Sequence, residues 1–294
     1  MVIPILYEDR SVLAIDKPAG WLLAPDSWDH TARNLQLALI SSMNAGDFWA
    51  SSRNLRYLRY IHRLDAETSG ALLFAKSPGA LSTYSRLFEG RQIEKRYLAV
   101  VRGIPAEREW DCRLAIAPDP RTEGKMRTIS PRGSHSRAAD GSGGGRPAGL
   151  PLDAKEAETH FELLEAGRTV ALVRATPTTG RTHQIRVHLA ATGHPVVGDL
   201  LYGPPAEASR AGAPPPIRDR PRHLPPSRSE RPPMALRAVE LAYVDPFSHR
   251  RVRITASDRP LLEQFKACDQ APAASKSRDE SAKVKPSNEG NVAL

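Results

Sequence analysis

The sequence predicts an α+β domain built on a mixed, largely antiparallel sheet with flanking helices and loops. Apolar runs typical of strands outnumber segments with helical spacing, and the two kinds do not alternate regularly as they would around a parallel sheet. Residues 156–165 and 168–176 alternate between apolar and polar side chains and are separated by Ala166-Gly167, which predicts a hairpin.

The first half of the chain contains the clearest helix. Ser77-Pro78 is a favourable helix start, because proline is well tolerated at the first helical position. Apolar residues then recur at helical spacing as far as Gly90. The other elements predicted here are strands at 11–16, 71–75 and 95–102 and a short helix within 33–44.

The second half is predicted to consist mainly of strands. One helix is expected from Thr182 to Ala191, with Gly193 placed to end it in a left-handed conformation. The remaining predictions are strands at 109–117, 125–130, 235–244 and 250–256 and a last helix at 260–267.

Two segments interrupt this pattern. Residues 131–152, with a glycine- and serine-rich centre, and residues 204–233, rich in proline and arginine, are expected to be flexible insertions. Residues 269–294 are polar and rich in small residues, so a disordered C-terminal tail is expected. The sequence therefore predicts one domain over residues 1–268.

Composition narrows the class of protein. A formal charge of +9 favours an anionic partner such as a nucleic acid, since arginine binds phosphate through paired hydrogen bonds. The two cysteines form neither a disulfide framework nor a metal motif, which fits a reducing cytoplasm. We identify no signal peptide, and no apolar run approaches the length of a membrane span.

The segment from His62 to Gly70 carries the most chemical information. It presents the carboxylate of Asp65 two residues after Arg63, and Glu67 and a Thr-Ser-Gly turn follow. An aspartate beside a cation at the mouth of a turn suits a nucleophile or a base that acts on an anionic substrate. Alone, however, an aspartate in this setting is more often a turn or capping residue.

This segment closely resembles the signature of the RluA-type pseudouridine synthases, which isomerise uridine in RNA. Three further motifs resemble those of the family in the same order along the chain: residues 16–20 (DKPAG), 94–99 (EKRYLA) and 180–189 (GRTHQIRVHL), the last running on to Gly198-Asp199. The resemblance implies a curved sheet with the site in a long cleft, no cofactor and no metal. Many relatives carry an N-terminal RNA-binding module of the S4 type, which we expect to be absent here because the motifs begin directly at the start of the chain.

The resemblance assigns roles to three catalytic residues. Asp65 matches the catalytic aspartate, Arg186 the arginine that pairs with it, and Tyr97 the tyrosine that lies against the target base. An arginine beside a carboxylate keeps it ionised, and an aromatic ring can stack on a pyrimidine. On their own, Arg186 would more simply be an exposed helix cation and Tyr97 a core aromatic.

Four further residues are predicted to contact the substrate. Arg63 matches a position implicated in extruding the base, because a uridine in a helix must leave its stack before it can react. Arg181, His183 and Lys17 are expected to contact phosphate or to hold loops, whereas His62 is expected to order the Asp65 loop.

The RNA target is not fixed by these motifs. We favour ribosomal RNA, with transfer RNA as the alternative, and we expect a monomer. A non-catalytic RNA-binding or chaperone relative is the first rival, but the presence of all three catalytic residues argues against it. A metal-dependent hydrolase using His183, His188 and His194 is the second, and those spacings fit no common zinc pattern.

One position departs from the family pattern. Relatives often place a histidine between the leucine and the alanine of the penultimate strand, where this chain has Leu236-Arg237-Ala238. We expect the change to affect local packing or an RNA contact rather than activity.

Overall fold

The fold is built on a mixed sheet that positions the residues of the candidate site. The computed structural model of the protein describes residues 3–23, 33–130, 151–204 and 233–270. Within these residues the strands are β1 Ile5–Glu8, β2 Val12–Lys17, β3 Arg59–Tyr60, β4 Ser69–Ala75, β5 Glu94–Arg102, β6 Glu109–Cys112, β7 Ala115–Pro118, β8 Met126–Ile129, β9 Thr159–Ala166, β10 Val170–Pro177, β11 Leu236–Val244 and β12 Arg251–Thr255. The helices are α1 Leu35–Asn44, α2 Phe48–Ser51, α3 Pro78–Glu89, α4 Gln184–Ala191 and α5 Arg259–Gln270.

The strands of the main sheet follow the order β1-β2-β4-β11-β5-β10-β9-β6, with β12 on β11 and β3 on β4. In the described part of the chain, β4 and β11 form the one parallel pair, and the other strand pairs are antiparallel. Strands β7 and β8 form a separate small hairpin. The predicted α+β class with a mixed, largely antiparallel sheet is therefore confirmed.

Both faces of the sheet centre are covered, which explains the continuous apolar runs in its strands. In β4, Leu72 and Phe74 point into the larger core, whereas Leu73 points into a second core on the other face. Successive side chains of a strand alternate between faces, so one apolar run supplies both cores. The larger core is closed by α1, α4 and α5 and the second by α3.

The helix starts follow the capping residues seen in the sequence. Ser77 accepts a hydrogen bond from the backbone N–H of Ala80 at 3.1 Å, and Pro78 opens α3 as predicted. Helix α4, by contrast, begins at Gln184 rather than at Thr182. The reason is that His183 adopts a left-handed backbone conformation with φ of 56°, which a helix cannot contain.

Three boundaries differ from expectation. The single strand predicted at 109–117 is broken at Arg113-Leu114 into β6 and β7, which belong to different sheets. Helix α5 continues to Gln270, so the tail does not begin at residue 269, and the Asp269 carboxylate accepts a hydrogen bond from the Arg168 backbone. Most of both insertions (131–150 and 205–232) and residues 271–294 lie outside the described residues.

No helix in the described ranges combines the length and the apolar character that a bilayer crossing requires.

Gly70 provides a test of how tightly the loop that carries Asp65 is fastened to the sheet. Its φ is +111°, and a Cβ atom there would overlap the backbone of Ala238 in the parallel strand β11. We expect Gly70→Ala to lower the free energy of unfolding by about 2–3 kcal/mol, measured by urea denaturation.

The control is Gly79→Ala in α3, where an added Cβ would meet no atom within 4 Å. This change should shift the stability by less than about 1 kcal/mol, because alanine favours a helix. Equal stabilities of Gly70→Ala and wild type would contradict the tight approach of the two strands.

Candidate active site

The loop that carries Asp65 is held from behind by a buried lysine. The Nζ atom of Lys17 donates hydrogen bonds to the carbonyl oxygens of Pro18, Asp65, Ala66 and Thr68, at 3.1, 3.2, 2.9 and 2.8 Å. Burial lowers the pKa of this lysine to about 8, against the opposing effect of nearby carboxylates. Lys17 is fully buried, so of the two roles expected for it the substrate contact is wrong, and the residue holds the loop.

His62 anchors the same loop from the other side. Its Nε2 atom accepts a hydrogen bond from the backbone N–H of Leu73 at 3.2 Å, and its ring stacks on Phe88 with centroids 4.5 Å apart. Burial, followed by the positive charge of Lys95, lowers the pKa of His62 to about 3. The imidazole is therefore neutral at physiological pH and suits an ordering role rather than proton transfer.

Asp65 is joined to a buried arginine. The Nη1 atom of Arg186, on α4, donates to Oδ2 of Asp65 at 3.0 Å. The other edge of the guanidinium binds Asp199 through both carboxylate oxygens, with Nε to Oδ2 at 2.7 Å and Nη2 to Oδ1 at 2.9 Å. Arg186 thus links two carboxylates, of which the Asp65 side chain is 26% exposed and the Asp199 side chain is fully buried.

The electrostatics of the buried pair favour the charged states of Arg186 and Asp199. Burial alone would lower the pKa of Arg186, but the hydrogen bonds and charges of Asp199 and Asp65 raise it above its ordinary value. Burial alone would raise the pKa of Asp199, whereas Arg186 and the backbone N–H groups of Leu201 and Tyr202 hold it below its ordinary value.

Tyr97 and Asp65 line the same cavity, which has a volume of about 520 Å³. Tyr97 lies on β5 and is 8% exposed. Burial and then the charge of Asp65 raise the pKa of its hydroxyl, so the hydroxyl stays protonated near neutral pH. A flat base that entered this cavity would meet the ring and a group able to donate a proton.

A second cavity of about 880 Å³ adjoins the first. Asp65, Arg63, His183 and Arg186 line both, so they mark the place where the two meet. Arg63 is exposed at this junction. The two cavities form a cleft with Asp65 near its middle, an arrangement suited to a polymer that passes across the carboxylate.

Arg181 and His183 precede α4 and stand at the cleft. Arg181 lines the smaller cavity, and its Nε atom donates to the Glu156 carbonyl at 2.9 Å, which orients the side chain. The Nε2 atom of His183 lies 3.9 Å from Oδ2 of Asp65, and its Nδ1 atom lies 2.9 Å from the Tyr202 hydroxyl. The structure thus brings together Asp65, Tyr97, Arg186, Arg63, Arg181 and His183, but not Lys17.

Three residues of the site received no role from the sequence. Asp199 and Lys95 lie inside the motifs of residues 198–199 and 94–99. The sequence therefore indicates both positions but does not predict their contacts. Tyr202 follows three residues after Asp199, and its ring lies under the Arg186 guanidinium at 5.2 Å. It also accepts a hydrogen bond from the backbone N–H of Met126 at 2.8 Å, which joins β8 to the site.

Two of the histidines considered for a metal-dependent hydrolase, His188 and His194, bind different partners in the structure. His188 is fully buried between Thr159 and the Leu114 carbonyl, each at 3.0 Å, and His194 contacts the Arg102 carbonyl at 3.2 Å. Within the described ranges no group of three or more His, Cys, Asp or Glu side chains is arranged to hold a metal ion.

Arg237, at the position of the family histidine, has a packing role. It is 5% exposed and donates to Oδ2 of Asp16 at 2.6 Å, to the Ser69 hydroxyl at 3.2 Å and to the Ser257 carbonyl at 2.6 Å. These bonds fasten β11 to β2 and to the start of β4, directly behind the Asp65 loop.

Comparison with known proteins identifies the family to which this chain belongs. Residues 11–191 match the family model described as RNA pseudouridylate synthase. Relatives named "Ribosomal large subunit pseudouridine synthase C" from Pasteurella multocida (strain Pm70) and Escherichia coli (strain K12) are 32% identical over 199 residues. The matches cover 68% of this chain and 52% and 53% of the relatives, so the chain spans about half the length of the curated relatives it matches.

Solved structures give the same result. "Human RNA Pseudouridylate Synthase Domain Containing 1" aligns with a TM-score of 0.61 at 28% identity, over 95% of this chain and 92% of that chain. "Human RNA Pseudouridylate Synthase Domain Containing 4" aligns with a TM-score of 0.63 at 22% identity, over 89% and 92%, and shows likeness of fold. The chain belongs to the RNA pseudouridylate synthase family, which confirms the resemblance to the RluA-type enzymes.

The buried pair of Arg186 and Asp199 predicts a stability effect at Asp199. Asp199→Asn keeps the shape of the side chain but leaves Arg186 with one carboxylate, so we expect a loss of about 3 kcal/mol at pH 7, measured by urea denaturation. Because the folded pKa lies below the ordinary value of 3.8, the charge of Asp199 stabilises the fold above that value. This stabilisation is lost as the pH falls through the folded pKa, so the difference from wild type should shrink in acid.

The matched control is Asp153→Asn, since the Asp153 side chain is exposed. It should leave the stability within about 0.5 kcal/mol of wild type, as is usual for surface changes. If Asp199→Asn behaved like this control at pH 7, Asp199 would not be needed to hold Arg186.

Proposed function

We propose that this chain is an RNA pseudouridine synthase that isomerises uridine in ribosomal RNA, with Asp65 as the catalytic carboxylate. The observation that carries the proposal is the geometry of Asp65. It is partly exposed at the middle of a cleft, bonded to the buried Arg186, and it lines the same cavity as Tyr97. The chain's membership of the family supports the same reaction class.

The reaction sets limited demands on the site. The bond between uracil N1 and ribose C1′ breaks, the uracil turns, and C5 bonds to C1′. N1 gains a proton and C5 loses one, so the atoms balance and nothing is oxidised. Asp65 acts at the sugar, either as a nucleophile or as a base. Arg186 donates a hydrogen bond to the carboxylate and fixes its direction throughout.

Access to Asp65 requires the uridine to leave its stack. The exposed guanidinium of Arg63 at the junction of the two cavities is placed to fill the gap left by the base. Tyr97 receives the extruded uracil against its ring, and Arg181 and His183 contact the backbone around it. With these roles assigned to the protein, the base pairing and loop shape of the RNA would determine which uridine enters the cavity.

Ribosomal RNA is favoured as the substrate by the names of the relatives, which refer to the large ribosomal subunit. Transfer RNA remains the alternative substrate, and a non-catalytic RNA-binding or chaperone role the alternative function. We further propose a cytoplasmic monomer that works without a cofactor. The net charge of +9 supports an RNA partner, and binding should weaken as salt is added.

Tritium release tests the proposed reaction. Transcripts of large-subunit ribosomal RNA and of transfer RNAs are prepared with 5-tritiated uridine, because bond formation at C5 displaces the tritium. Wild type should release tritium from ribosomal transcripts, and Asp65→Asn should release none above background. Asp65→Asn has nearly the same shape, so circular dichroism and RNA binding should match those of wild type.

The outcomes separate the alternatives. Release from transfer RNA alone would identify transfer RNA, and not ribosomal RNA, as the substrate. Equal release by Asp65→Asn would exclude Asp65 as the catalytic group. RNA binding without release from either transcript would favour the non-catalytic role.

Variants of Tyr97 separate the effect of its ring from that of its hydroxyl. Tyr97→Leu removes the stacking surface and should slow single-turnover release by about 10- to 100-fold, since stacking contributes about 1–3 kcal/mol per base. Tyr97→Phe keeps the ring and loses only the hydroxyl. A rate for Tyr97→Phe near that of wild type would assign Tyr97 to stacking, whereas a rate near that of Tyr97→Leu would assign it to proton transfer.

A further inference from the structure

Lys95 stands inside the cavity that holds Asp65 and Tyr97, and the reaction described above does not use it. It precedes Tyr97 by two residues on β5, so both side chains emerge from the same face of the strand. Both line the cavity of about 520 Å³. Lys95 is half-buried there, between the strand and the segment that leads into α4.

The charge of Lys95 is not neutralised by a neighbouring acid. Its Nζ atom donates one hydrogen bond, to the Thr179 carbonyl at 2.9 Å. Among the residues that the structure describes, no carboxylate lies within ion-pairing distance of it. Burial, and then the positive charges of Arg91 and Arg181, lower its pKa to about 8. An ammonium group has three N–H donors, so two remain for a molecule in the cavity.

The contacts of Lys95 place it away from the sugar end of the cavity. Asp65 stands where the two cavities meet, whereas Lys95 lines only the smaller cavity and its Nζ atom meets the Thr179 carbonyl. With the ribose at Asp65 and the uracil against Tyr97, the far edge of the uracil faces the Lys95 end. That edge carries carbonyl oxygens, which accept hydrogen bonds.

We infer that Lys95 donates a hydrogen bond to a carbonyl oxygen of the uracil and stabilises the negative charge of the base once it is detached. This inference rests on the proposed function. When the bond between N1 and C1′ breaks, its electron pair leaves with the uracil, and the charge spreads onto the carbonyl oxygens. An ammonium in a partly desolvated cavity stabilises that charge more strongly than it stabilises the neutral base, so it lowers the barrier.

Lys95 transfers no proton in this step. It holds the uracil by a hydrogen bond while the base turns, C5 bonds to C1′, and the proton of C5 is lost as N1 gains one. A phosphate group would fit this position less well, since it is strongly hydrated and would meet the exposed Arg91 at the cavity mouth first. The two ligands predict different kinetics, because a phosphate contact is present before the reaction starts.

The test compares single-turnover tritium release and RNA affinity for wild type and Lys95→Met. The probe is a large-subunit ribosomal RNA transcript with 5-tritiated uridine, and the dissociation constant comes from filter binding to the same transcript. Lys95→Met has nearly the same length and no charge. The rate should fall by about 100-fold, as is typical when one donor to a developing anion is removed, with the dissociation constant within about twofold of wild type.

Two controls guard the result. Lys266→Met removes the same charge from the exposed surface of α5 and should change neither quantity. Thermal melting checks the fold, and Lys95→Gln, which keeps an N–H donor but no charge, replaces Lys95→Met if that variant unfolds. Lys95→Arg should recover part of the lost rate, because it restores the positive charge.

The failures are distinguishable. Absence of release by wild type would overturn the proposed function and this inference with it. Release by wild type with an unchanged rate for Lys95→Met would overturn the inference alone. An unchanged rate at saturating protein with weakened RNA binding would assign Lys95 to a phosphate and would also overturn it.

Discussion

The buried guanidinium of Arg186 is the constraint on which the cleft depends. Its two hydrogen bonds to Asp199 fix the plane of the group, so the remaining nitrogen can point only at Asp65. A buried charge must be compensated by its neighbours, and Asp199 supplies that compensation out of reach of solvent. The carboxylate of Asp199 stays buried, whereas the carboxylate of Asp65 faces the cleft. Helix α4, the Asp65 loop and the turn at residues 198–199 are thereby held in one arrangement.

Two lysines near the site have the same lowered pKa, about 8, but opposite uses. Lys17 is enclosed by four backbone carbonyls, so its donors are consumed by the loop. Lys95 meets one carbonyl and keeps donors directed at the cavity. The number of internal acceptors therefore separates a lysine that builds the site from one that is available to a ligand, even where their acidities agree.

This difference also marks the limit of what the sequence predicts. The hairpin and the cap at Ser77 follow from local patterns, since each depends on residues close together in the chain. Burial of Lys17 depends on carbonyls about 50 residues away, and it could not be read from the sequence. The left-handed backbone conformation of His183 could not be predicted, because the helical pattern of the sequence continues through this residue. For Arg237 the sequence predicts either a packing contact or an RNA contact, and its hydrogen bonds to Asp16 and Ser69 show that it is a packing contact.

The position of β11 has a consequence for how the protein is made. This strand comes from residues 236–244 yet lies between β4 and β5, and it is the element to which the end of the Asp65 loop is fastened. During synthesis, β4 and β5 emerge long before their shared neighbour, so the sheet stays divided until residues 236–244 have been translated. A nascent chain that stops before β11 lacks the central strand and cannot form the cleft. The cleft is therefore completed only when β11 joins the two halves of the sheet.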